Sequence, residues 1–105
     1  MDQQWIKMAN LVFELDKKIA GKDTNPALVR ICDKMKGVIE ESGIYLYNPV
    51  GEKYSETRTD VEANISGTSL TNLIIKEVIK PVLYVDENGK RKLMQKGVVV
   101  VGREG

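Results

Sequence analysis

The first periodic stretch runs from about Gln3 to Ala20. Trp5, Met8, Val12, Leu15 and Ile19 recur at alternating three- and four-residue intervals, the rhythm of a helix packed lengthwise on other helices. Lys7, Glu14, Lys17 and Lys18 fall on other faces, while Ile6, Leu11 and Phe13 flank the stripe and widen it. Gly21 is a suitable stop, because glycine accepts the left-handed conformation that often follows a helix C-terminus. Asn25-Pro26 is a strong restart: the Asn side chain caps open N–H groups, and proline suits a first helical position that needs none. Leu28, Ile31, Met35 and Val38 repeat the spacing to about Glu41, with Val29, Cys32 and Ile39 on the flank and Ser42-Gly43 as the close. The short connector predicts an antiparallel helix hairpin.

Two such helices cannot hide two wide apolar faces from water by themselves. Two copies joined into a four-helix bundle would do so, and so would the rest of the same chain. The stripe width favours the bundle, a homodimer with Val12, Leu15, Ile19, Leu28, Ile31, Met35 and Val38 along its seam.

After Gly43 the period changes. Ile44 to Tyr47 reads as a short strand ended by Asn48-Pro49 and Gly51, residues 51–60 as a polar loop, Val61 to Ile65 as a second strand, and Ser66-Gly67-Thr68 as a turn. From Leu73 to Val85 β-branched residues dominate, with Pro81 marking an edge, bulge or break. Asn88-Gly89 within Asp86-Glu87-Asn88-Gly89 is a hairpin turn, and Arg91 to Val101 is the return strand. Helices first and strands second make an α+β chain: a helical hairpin and dimerisation region over 1–43, then a small, mostly antiparallel β domain over 44–105.

The 105 residues suffice for one modest core, and 42% apolar with 30% charged residues is ordinary for a globular domain. Lys plus Arg number 16 against 15 Asp plus Glu, a net charge of +1, which argues against a general nucleic-acid binder. The chain has no histidine, so it lacks the usual acid/base near neutral pH and the commonest transition-metal ligand. One cysteine, Cys32, forms neither an internal disulfide nor a thiolate cluster, which fits a reducing cytoplasm. No apolar run is long enough to span a membrane, and the start is unlike a secretory signal. These features point to a protein that is not an enzyme and carries no cofactor or metal.

The candidate chemical motifs fail on spacing. A calcium loop with Gly89 at its sixth position needs an acidic residue in place of Tyr84 and a glutamate in place of Gln95. Gly97 and Gly102 open no helix and so cradle no phosphate. Lys90, Arg91, Lys92 and Lys96 have two readings: protection of an edge strand, or a surface that steers an acidic partner.

The order of these pieces resembles a known family. Met35-Lys36-Gly37-Val38-Ile39-Glu40-Glu41-Ser42-Gly43-Ile44 ends the hairpin. Val61-Glu62-Ala63, Ile75-Lys76-Glu77-Val78-Ile79, Asn88-Gly89-Lys90-Arg91-Lys92-Leu93 and Val98-Val99-Val100-Val101 follow in turn. From about Val12 to Val101 this resembles GrpE, the nucleotide exchange factor of DnaK-type chaperones. The family's histidine before Glu-Ala is Val61 here, its Gly-Tyr falls on Val82-Leu83, and only a few residues stand where it has a long paired N-terminal helix.

The resemblance implies a cytoplasmic co-chaperone of protein folding and the stress response. Its β domain would bind the ATPase domain of a DnaK-type chaperone and promote ADP release, with Lys90, Arg91 and Val100 at the contact. The alternative is a dimeric protein-binding adaptor that keeps the fold without exchange activity. An enzyme built on Glu62 with Tyr45 or Tyr47 is the remotest reading.

Overall fold

The start signal at Asn25 works as its chemistry requires: the side-chain oxygen accepts the Ala27 N–H at 2.9 Å, and Pro26 takes the first helical position. The computed structural model describes residues 3–20, 25–65 and 71–104, so Gly21 and the turn at Ser66-Gly67-Thr68 lie outside the described residues. Helix α1 covers Gln3–Ile19 and α2 covers Pro26–Glu41. Asp16 of α1 meets both Lys36 and Cys32 of α2, as an antiparallel pair requires. Gly43, at φ 95°, turns the chain out of α2 in a conformation that favours glycine.

Six strands follow: β1 Ile44–Tyr47, β2 Val61–Ile65, β3 Leu73–Lys80, β4 Val82–Glu87, β5 Lys90–Gln95 and β6 Gly97–Arg103. They form two three-stranded sheets, β1–β4–β5 and β2–β6–β3. All pairings are antiparallel except β2 with β6. The chain is therefore α+β, with an N-terminal helical hairpin.

The long hairpin from β3 to β6 turns at Asn88-Gly89, where φ values of 54° and 80° match the positive φ of a two-residue hairpin turn. It also passes from one sheet to the other at a corner. Pro81 breaks the outgoing arm, and Lys96 separates β5 from β6, so the return strand expected as one piece over Arg91–Val101 is two. Gly97 sits in that corner: a Cβ there would come within 2.9 Å of Val82 Cγ2 and 3.2 Å of the Lys80 carbonyl oxygen. The close approach demands a residue without a side chain.

Two apolar clusters fill the interior. Phe13 joins Val61, Leu73, Ile75, Val78, Val82, Val99 and Val101. Ala9, Val12, Cys32 and Ile39 of the hairpin join Ile44 and Leu83 of the sheet. The two parts thus lend residues to each other's clusters. The boundary between 1–43 and 44–105 coincides with the α-to-β transition, but it does not separate independent cores. Polar fasteners reinforce the join. The Asn10 and Gln95 amides exchange hydrogen bonds of 3.0 and 2.9 Å, Gln95 also donates to the Pro81 carbonyl at 2.9 Å, and Lys17 donates to the Val78 carbonyl at 2.7 Å.

Candidate functional site

The β part covers one side of each helix. On α1 it buries Ala9, Val12 and Phe13, and on α2 Cys32 and Ile39. On the other side Met8, Leu11, Leu15, Leu28, Ile31 and Val38 are exposed, Ile31 at 53% and Leu11 at 59%. Of the seven residues expected along a dimer seam, Leu15, Leu28, Ile31 and Val38 lie on this uncovered face, and Ile19 and Met35 are half-buried. Val12 is a correction. It is 1% exposed in the chain's own core and offers nothing to a second molecule, because the sheet takes the flank of the stripe on which it lies.

The residues expected at a chaperone contact do not share one surface element. Lys90 and Arg91 are exposed at the start of β5, whereas Val100 is half-buried in β6, the central strand of the other sheet. Arg91 lays its guanidinium 4.1 Å from the centroid of the Tyr45 ring, a cation–π stack that fixes its orientation. The sequence displays both residues but not their meeting, which depends on β4 pairing with both β1 and β5.

Beside them a groove of about 460 Å³ runs between the helices and β1. Phe13, Lys36, Ile39 and Glu40 come from the helical side, and Tyr45 and Arg91 from the sheet. Lys36 is held at 2.9 Å by Asp16. Burial, followed by the nearby Asp16 carboxylate, raises the Cys32 thiol above its ordinary pKa, which keeps it a protonated core residue and a poor nucleophile.

A third cluster organises the loop between β1 and β2. Arg58 grips Asp60 through two hydrogen bonds of 3.0 and 2.8 Å and reaches Glu52 at 3.2 Å and the Lys53 carbonyl at 3.1 Å. Glu52 in turn accepts the Tyr47 hydroxyl. The hydrogen bonds from Arg58, opposed in part by burial, hold the Asp60 carboxyl below its ordinary value. The bond to Glu52 raises the Tyr47 phenol. Arg58 was not singled out in the sequence because its partners, though close along the chain, are selected by the fold of a polar loop. No arrangement of proton donor, acceptor and open cavity gathers around these groups. They act as a staple.

Among the described residues, no group of three or more His, Cys, Asp or Glu side chains could hold a metal ion, and no helix is long and apolar enough to cross a membrane. No family model, curated protein or solved structure matches the chain.

Proposed function

We propose that this protein is a GrpE-like nucleotide exchange factor that works as a homodimer on the ATPase domain of a DnaK-type chaperone in the cytoplasm. One observation carries the reading: a helical hairpin, seated on a small β part, keeps an apolar face uncovered along both helices. A second hairpin laid on that face completes a four-helix bundle. Each Leu- or Ile-sized side chain that passes from half-exposed to buried would contribute about 1 kcal/mol. The two β parts then project from the bundle, each presenting Lys90 and Arg91 near a hairpin tip. Their charge would steer and orient docking on an acidic surface.

The activity needs no chemistry on a substrate. A partner that binds the open, ADP-releasing state of the chaperone better than the closed state shifts the population by its differential affinity.

Release of a fluorescent ADP analogue from a DnaK-type chaperone of the same organism, followed by stopped flow, tests the reading. Acceleration of roughly tenfold or more, reduced by the double reversal Lys90→Glu, Arg91→Glu with circular dichroism unchanged, is the expected result; tenfold corresponds to about 1.4 kcal/mol of barrier. Binding without acceleration would replace exchange activity by the adaptor role. The absence of both would overturn the chaperone assignment.

A further inference from the structure

Natural sheets guard their free edges with charges, proline, bulges or a covering element, because an unpaired edge is a template for another strand. In the β1–β4–β5 sheet the β5 edge is guarded by Lys90, Arg91 and Lys92. The other edge is not. Strand β1 is Ile44-Tyr45-Leu46-Tyr47, without charge or proline, and it pairs with β4 in unbroken register.

The hydrogen bond from the Asp86 N–H to the Gly43 carbonyl, 2.9 Å, sets the alternation along this pair. With Ile44 opposite Val85 and Tyr45 opposite Tyr84, the backbone groups of Tyr45 and Tyr47 belong to the ladder with β4, and those of Ile44 and Leu46 turn to the free side. Along that side runs the groove of about 460 Å³, with Phe13 and Ile39 supplying apolar wall.

The charges in the groove select the occupant. Lys36 is already paired with Asp16. Arg91 is held over Tyr45 and, among the described residues, has no carboxylate within ion-pair distance, so its planar fork of donors is oriented and unspent. Glu40, on the helical wall, is exposed and repels a second anion there.

We propose that this groove takes an extended segment of a partner protein, which adds a strand to β1 and sets one acidic side chain against Arg91. The main-chain bonds to Ile44 and Leu46 supply affinity without regard to sequence, and the Arg91 contact supplies selectivity.

The test uses the full chain and short synthetic peptides of alternating valine and threonine. One glutamate is placed at successive positions along the peptide, and a matched set carries glutamine instead. Amide hydrogen exchange read by NMR is expected to slow about tenfold or more at Ile44 and Leu46 with a glutamate peptide, and to stay unchanged at Tyr45 and Tyr47, whose bonds already exist. The matching glutamine peptide, or the Arg91→Gln protein, is expected to bind about tenfold more weakly.

Three results would each overturn the proposal. These are no added protection at Ile44 and Leu46 from any glutamate peptide, equal binding of the two peptide sets, and protection that grows with protein concentration in the absence of peptide. The last would give the edge to a second copy of the chain. The assay contains no chaperone, so it succeeds or fails independently of the exchange reading.

Discussion

Val12 and Leu15 stand one turn apart on the same helix, both in the same three-four repeat, and end up in different worlds: 1% and 40% exposed. The same split divides Ile39 from Val38 on the second helix, at 2% and 52%. At about 100° per residue, the apolar positions of α1 from Leu11 round to Ile6 cover more than half of the helix circumference. One layer of protein covers only part of such an arc. The β part takes the flank carrying Ala9, Val12 and Phe13, and the remainder faces outward. A heptad repeat therefore marks positions that need an apolar neighbour without saying which neighbour each receives.

The contrast between the covered and uncovered faces is open to direct attack. The largest expected effect comes from the outer face: Leu15→Lys with Ile31→Lys should convert a dimer into a folded monomer by sedimentation and abolish the dependence of melting temperature on protein concentration. A parent protein that is already monomeric, with a concentration-independent melt, would remove the bundle.

Next is the inner core. Ile75→Ala deletes a side chain with no exposure at all and should cost about 2–5 kcal/mol in denaturant unfolding, far more than truncating exposed Leu11. Third is the corner between sheets. Gly97→Ala forces a methyl against Val82 and the Lys80 carbonyl and should cost about 1–3 kcal/mol.

The smallest effect belongs to the loop staple. Asp60→Asn should cost about 1 kcal/mol at neutral pH and flatten part of the acid limb of the stability curve. The sign follows from the direction of the shift. The folded carboxyl lies below its ordinary 3.8, so its contribution is complete above that value and disappears as pH falls through the lower folded pKa.

Where local chemistry decides, the sequence was legible. Asn25-Pro26, Gly43 and Asn88-Gly89 act at single turns, and each marks the expected boundary. The strand Val61–Ile65 and the break at Pro81 are likewise readable from composition and backbone rules. Features that depend on which strands become neighbours were not. Lys96 divides the return strand because Gly97 must pack tightly against Val82, a contact between two arms of a long hairpin. Phe13, a flank residue in the helical pattern, reaches the core of the β part. Arg91 meets Tyr45 across a sheet whose order, β1–β4–β5, no local signal announces. The candidate surfaces divide in the same way: the apolar positions of the outer face and the basic hairpin tip are written in the chain, while the groove exists only once helices and sheet have met.

Asn10 and Lys17 lie seven residues apart on one face of α1, roughly 10 Å along its axis, and each is bolted to a different strand region of the hairpin corner. A rod fastened at two points cannot swivel about either. Torque delivered to the helices by a binding partner would be passed straight to the strands, with no slack at the joint, and the hairpin would serve as a handle for the whole molecule.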